Sequence, residues 1–265
     1  MAHCEKKIPT FLMLLLQDLH IGYKNQVLAQ CIGHIAFAKA KFIAIIGANG
    51  TGKSTLLRAI ASGDHIIQGN VVLDKKPIAS IALEKLAQRV SILTTERNMS
   101  QSLTVRQLLE ITRSPYTDFL GRLGNEDQTI IESTIQDFEL QDLENRPLHQ
   151  LSDGQVQRAL IARCIVQDTE YILMDEPTNH LDLHHKAQLL SLLKSYTVKQ
   201  NKTIIFSTHE IAMATALADQ VLYFHDDYLR FKSTAEFMQK EILKQLFPSP
   251  LLDWNNGSYS LKDVE

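Results

Sequence analysis

Gly47-Ala-Asn-Gly-Thr-Gly-Lys-Ser-Thr55 is the stretch whose reading decides the fold. It follows a strand-like apolar run at 42–46 and precedes a helical pattern at 56–61. That is the strand–loop–helix setting in which G-x-x-x-x-G-K-[ST] counts as a phosphate loop. Gly47, Gly50 and Gly52, with Asn49 and Thr51 between them, let the backbone curl so that successive N–H groups face one anion. The following helix adds its positive N-terminal end. Lys53 brings a point charge to the β- and γ-phosphates, the Ser54 hydroxyl is placed to ligate Mg2+, and Thr55 closes the motif.

Around this loop, apolar runs ending in glycine or polar turns predict strands at 11–16, 42–46, 90–93, 171–174 and 203–207. Helical patterns lie between them, so the chain reads as α/β with a largely parallel sheet. Residues 100–165 carry helix starts and no convincing strand, which marks a helical insert. Thr104 with Gln107 forms a capping-box pattern, and 127–140 has apolar residues at helical spacing. A last helix is expected over 234–247, ending at Pro248 ahead of a polar tail, 255–265.

Composition narrows the class. The chain has 265 residues, 45% of them hydrophobic, and a formal net charge of −3. That is an ordinary globular balance without the basic stripe of a nucleic-acid binder. Cys4, Cys31 and Cys164 are too few and too scattered for a disulfide framework, which fits a reducing compartment. The apolar run at 11–16 is far short of the roughly 20 residues a membrane helix requires. It also lacks a signal peptide's cleavage site. The expected location is therefore the cytoplasm, with any membrane contact made through a partner.

Two further segments carry chemistry. In Leu151-Ser-Asp-Gly-Gln155, Ser152 and Gln155 repeat the capping-box pattern, so a helix starts at Ser152, and its glycine-containing N-terminus suits an anion. Tyr171-Ile-Leu-Met-Asp-Glu-Pro177 delivers Asp175 and Glu176 at the carboxyl end of a strand, where ligands of open α/β sheets bind. Two adjacent carboxylates repel and need a cation or separate tasks. Asp175 suits a Mg2+ shell and Glu176 the polarisation of an attacking water. His180 and His184 have the i, i+4 spacing of helix-borne zinc ligands, but no third ligand is evident.

Taken together and in this order, the phosphate loop, Leu151–Gln155 and Tyr171–Pro177 resemble the ATP-binding cassette (ABC) ATPases, whose signature is LSGGQ. The resemblance covers nearly the whole chain, from about residue 14 to about residue 246. It implies one P-loop NTPase (RecA-like) domain over 1–265: a catalytic core at 1–99 and 166–230 with antiparallel N-terminal strands, the helical subdomain at 100–165, and a C-terminal helix and tail at 231–265. It implies ATP and Mg2+ as cofactors and a second identical cassette as partner. Ser152, Gly154 and Gln155 of one chain would then bind the γ-phosphate held by the other. Tyr23 sits where the family places an aromatic ring under adenine, and His209 at the histidine that contacts the γ-phosphate. Residues 178–182 resemble the loop that crosses the dimer interface.

Two departures stand out. Asp153 replaces the signature's middle glycine. Thr95, followed by Glu96, stands where the family has a glutamine that bonds the metal and the lytic water; the resemblance gives the metal role to Thr95 by position, and either side chain could reach the metal, Glu96 with an extra charge. Leu103-Thr-Val-Arg-Gln-Leu-Leu109 and Thr112-Arg-Ser-Pro-Tyr-Thr117 resemble the helical subdomain of importers for iron–siderophore, haem and cobalamin. Those cassettes work beneath multi-span permease subunits on the cytoplasmic side of the cell membrane, as peripheral proteins, with a separate substrate-binding protein. An exporter cassette is the nearest alternative. Repair and chromosome cassettes carry a long coiled coil between phosphate loop and signature, and translation cassettes carry two phosphate loops. This chain has neither.

Overall fold

The computed structural model describes residues 14–24, 26–96, 100–117, 119–246 and 248, and the backbone of 252–255 and 258–261. The first half of the chain holds β1 (Leu14–Tyr23), β2 (Gln26–Gln30), β3 (His34–Phe37), β4 (Phe42–Ile46), α1 (Lys53–Ser62), β5 (Ile66–Leu73), β6 (Lys76–Pro77), α2 (Leu83–Ala87) and β7 (Val90–Leu93). The insert contributes α3 (Val105–Thr112), α4 (Asn125–Asp137) and α5 (Asp153–Val166). Then follow β8 (Tyr171–Met174), α6 (Leu183–Lys199), β9 (Thr203–Thr208), α7 (Ile211–Leu217), β10 (Gln220–His225), β11 (Tyr228–Ser233), α8 (Thr234–Phe237), α9 (Lys240–Leu246), β12 (Leu252–Asn255) and β13 (Ser258–Leu261). No helix among the described residues is long and apolar enough to cross a membrane.

The main sheet runs β6-β5-β1-β2-β11-β10-β4-β9-β8-β7, with β3 paired to β1 off that path. From β7 through β8, β9 and β4 to β10 every pairing is parallel, whereas β1 pairs antiparallel with β2, β3 and β5. The antiparallel N-terminal strands thus flank a parallel core. All five residues of β4 and all four of β8 are buried, the pattern of strands covered on both faces. Alternation decides which face each side chain serves. Phe42, Ala44 and Ile46 point into a core shared with α5, α6 and α7, and Ile43 and Ile45 into a second core with α1 and β1.

The insert does not have a separate core. Val105, Leu108, Ile131 and Ile135 join the same buried cluster as Phe42 and Phe206, through Ala159 and Ile161 of α5. Polar bonds reinforce the seam: Arg163 Nη2 donates to the Ile92 carbonyl (2.8 Å) and Ser91 Oγ to that of Cys164 (3.1 Å). Both expected capping boxes form, at Thr104–Gln107 and Ser152–Gln155. Among the described residues of 100–165 the only β-type pairing is an isolated bridge, Thr104 to Pro147.

Two expectations need correction. The first strand runs on to Tyr23, held by antiparallel partners on both sides, and the positions before Leu14 lie outside the described residues. The last helix is interrupted: α8 closes at Phe237, packed on Tyr223 with ring centroids 5.2 Å apart, and α9 restarts at Lys240. Both Phe237 and Leu243 are fully buried, one on each of the two short helices. After α9 the strands β12 and β13 pair as an antiparallel hairpin, whose second strand lies within the polar tail.

Candidate functional site

Parallel register sets the site. Ile46 of β4 lies opposite Thr208 of β9, and Met174 of β8 opposite both Phe206 of β9 and Leu93 of β7. The residues following each strand, Gly47, Asp175, His209 and Thr94, therefore emerge at one edge of the sheet. The residues next along the chain open onto a cleft of 450 Å3 lined by Tyr23, Leu28, Asn49, Gly50, Gly52, Lys53, Ser54, Thr55, Thr95 and Glu176.

The phosphate loop takes the shape its glycines permit. Gly50 and Gly52 have φ of +80° and +102°, left-handed backbone that side chains with a Cβ rarely adopt. Gly52 caps α1, which begins at Lys53 and so brings its amino end into the loop itself. Gly47 is needed for space, since a Cβ there would stand 2.7 Å from Thr51 Oγ1. Thr51 Oγ1 donates to the Ala48 carbonyl (2.9 Å). Lys53 is folded over the loop, its Nζ donating to the carbonyls of Gly47 (3.0 Å) and Ala48 (3.1 Å). Burial pushes its ammonium pKa down, against the opposing pull of Glu176 and Asp175. A phosphate in the cleft would satisfy this buried cation better than two neutral carbonyls do.

The two carboxylates are divided by their surroundings. Asp175 is buried and accepts a 2.6 Å bond from Ser207 Oγ, while Ser207 Oγ in turn accepts from the Glu176 backbone N–H (2.9 Å). Glu176 turns towards the cleft from a left-handed backbone, φ +49°. Its Oε2 accepts from Asn179 Nδ2 at 2.6 Å, and its Oε1 lies 3.6 Å from His209 Nδ1. The carboxylate is thus gripped on one oxygen and faces an exposed imidazole with the other. Nothing in the sequence gives Ser207 a role, and Asn179 has only a place in the 178–182 loop. Only their position, on the strand before His209 and one turn after Glu176, hints at them.

Thr95 lines the main cleft and also a 60 Å3 cavity shared with Thr94, Gln157, Asp175, Glu176, Asn179 and His180. Glu96 is drawn instead to Arg58 of α1 (2.5 Å). Hydroxyls and carboxylates around the cleft (Ser54, Thr95, Asp175) are hard oxygen donors suited to Mg2+. Among the described residues no group of three His, Cys, Asp or Glu side chains gathers for another metal. His180 and His184 do not form a helical pair, because α6 starts at Leu183 and His180 sits in the preceding turn with φ +64°. Tyr23 stands at the cleft rim, its hydroxyl accepting from Thr55 Oγ1 (3.3 Å).

Ser152, Gly154 and Gln155 do not line this cleft. Ser152 and Asp153 are exposed at the start of α5. A Cβ on Gly154 would lie 3.4 Å from Leu181 Cδ2, in the loop after Glu176. The amino end of α5 is thus presented outward beside residues 180–181 of its own chain.

Comparison with known proteins agrees with this geometry. Residues 34–179 match the family model described as ABC transporter. An ABC transporter ATP-binding protein of Methanocaldococcus jannaschii is 32% identical over 94% of this chain and 84% of that protein. The iron(3+)-hydroxamate import ATP-binding protein FhuC of Bacillus subtilis is 33% identical over 87% of this chain and 86% of its own length. The petrobactin import ATP-binding protein FatE of Bacillus anthracis is 36% identical over 80% and 85%. Among solved structures, a metal-chelate type ABC transporter in an inward-facing conformation superposes with a TM-score of 0.76 at 26% identity, covering 94% of this chain and 96% of that one. With its phosphate loop, paired carboxylates and outward-facing signature helix in place, the chain belongs to the ABC transporter family, as one of its ATP-binding, ATP-hydrolysing subunits.

Proposed function

We propose that the chain powers import of a ferric chelate, working as a homodimer beneath a multi-span permease on the cytoplasmic side of the cell membrane, with a separate binding protein supplying the cargo. The observation that carries this reading is the separation of Ser152–Gln155 from the cleft that holds Lys53 and Glu176. Each chain presents a phosphate cradle and, elsewhere, a capped helix end with no phosphate of its own to bind. Two copies facing head to tail satisfy both. The importers named above are the relatives that favour a ferric chelate as cargo.

Within such a pair the residues divide the work. The loop amides and Lys53 hold the triphosphate, and Tyr23 offers a ring for the base. Ser54, Asp175 and Thr95 would hold Mg2+, which supplies charge neutralisation to the phosphates. Glu176, oriented by Asn179, accepts hydrogen-bonding from the attacking water, and His209 faces the γ-phosphate. The helical insert exposes Ile111 and Phe119 (58% and 101%), apolar surface that fits contact with a permease.

The test is a deletion strain supplied with iron as a hydroxamate chelate or as petrobactin. Loss of uptake, restored by the wild-type chain and not by the Glu176→Gln variant, is the expected result. Parental uptake of both chelates after deletion would remove this cargo class.

A further inference from the structure

A second cleft, of 530 Å3, lies beside the phosphate-loop cleft and is lined by Gly22, Tyr23, Lys24, His65, Ile66 and Ile67. Tyr23 is the residue common to both linings. On the side of the second cleft stands His65, its ring centroid 4.5 Å from that of Tyr23 at an interplanar angle of 52°. At the rim of α1 the Tyr23 hydroxyl is bonded to Thr55. The tyrosine is therefore held at its tip by the phosphate-loop helix and against its ring by an imidazole.

The backbone makes this arrangement a product of strand register. Ile21 of β1 pairs with Ile66 of β5, and the Gly22 N–H donates to the His65 carbonyl at 2.9 Å. On its other side Gly22 lets β2 approach closely, since a Cβ there would stand 2.0 Å from the Gln26 carbonyl oxygen. His65 itself occupies left-handed backbone, φ +63°, which the neighbouring strand pairing holds in place.

We infer that His65 is a positioning residue for the nucleotide base: it backs the Tyr23 ring, so that a base entering the phosphate-loop cleft meets a platform already oriented. This rests on Tyr23 being the base platform. The physical gain is preorganisation, since a half-exposed tyrosine that had to be immobilised on binding would give up part of the stacking free energy. The ligand is any purine nucleotide triphosphate. Its phosphates are held by the loop and do not depend on His65.

Equilibrium binding by the full-length chain distinguishes the possibilities, with ATP and inorganic tripolyphosphate, which has no base, as probes. His65→Ala is expected to weaken ATP about three- to tenfold, the size of one aromatic contact. Tripolyphosphate affinity should be unchanged, the loss in turnover assays should fall in KM rather than kcat, and His65→Phe should restore ATP binding. Tyr23→Ala should weaken ATP at least as much. If Tyr23→Ala binds ATP normally, the platform reading itself fails. If Tyr23→Ala weakens ATP while His65→Ala does not, the inference about His65 alone is overturned. It is equally overturned if His65→Ala weakens ATP and tripolyphosphate in parallel, which would mark a structural role.

Discussion

Ser207 Oγ donates to the buried Asp175 Oδ1 at 2.6 Å, and the same hydroxyl receives the backbone N–H of Glu176 at 2.9 Å. One side chain on β9 thereby ties down the Asp175 carboxylate and the Glu176 backbone just past the end of β8. Ser207→Ala would strip a buried carboxylate of a partner, at a cost of about 1–3 kcal/mol. The variant should melt at lower temperature and lose about ten- to a hundredfold in kcat, because Glu176 shifts with the backbone it follows. A stable variant with normal turnover would show that Ser207 does not position the pair.

Glu176→Gln keeps the shape of the side chain and an oxygen that can accept from Asn179. It removes the negative charge beside His209. Hydrolysis should fall by about a hundredfold or more while ATP binding persists, so that ATP accumulates in a stable dimer on size exclusion. Turnover at the wild-type rate would take Glu176 out of the chemistry.

The Ser152→Arg variant tests the shared site. Ser152 is exposed and outside the cleft, so a monomer should bind ATP with wild-type affinity. In the dimer the bulky cation would occupy the partner's phosphate position, and ATPase activity should be abolished. Activity above about a tenth of wild type would contradict completion by a second copy.

Thr95 and Glu96 can be separated by their surroundings. Thr95 borders Asp175 and Glu176, whereas Glu96 pairs with Arg58 at the surface. Thr95→Val should raise the Mg2+ concentration for half-maximal ATPase severalfold. Glu96→Ala removes a largely exposed ion pair and should alter that concentration by less than about twofold. The opposite ranking would transfer the metal role to Glu96.

Stability at low pH should report on the insert. Arg113 Nη2 lies 2.6 Å from Asp127 Oδ1, with side-chain exposures of 4% and 10%, and the Gly124 N–H donates to Asp127 Oδ2 (2.8 Å). Burial raises the Asp127 pKa, but the Gly124 N–H and Arg113 outweigh it, and the carboxyl ends below its ordinary 3.8. A depressed folded-state pKa stabilises the native state at pH above the unfolded value and loses that contribution as pH falls through the folded one. Arg113→Ala should cost about 3–5 kcal/mol at neutral pH in denaturant unfolding, because it leaves a buried carboxylate unpaired. The gap between Asp127→Asn and wild type should be constant above about pH 5 and shrink below about pH 4. A gap independent of pH would show that the pair does not titrate with folding.

What the sequence determined by itself was local. The phosphate loop, the runs at 42–46, 90–93 and 171–174, and the capping boxes at Thr104 and Ser152 depend on neighbours within a few residues. Each formed where its pattern stands. The identity of the family was legible for the same reason, since its motifs are short and contiguous. Tertiary structure decided what depends on pairing between distant segments. The extension of β1 to Tyr23 follows from β2 and β5 on its two sides, and the break between α8 and α9 from burying Phe237 and Leu243 together. Ser207 meets Asp175 because β8 and β9 align in parallel, and His65 meets Tyr23 because β5 returns beside β1. Single serines and histidines carry no signal of their own. A phosphate loop can therefore be read from its residues, but the side chains that aim its carboxylates and steady its tyrosine are chosen by strand register.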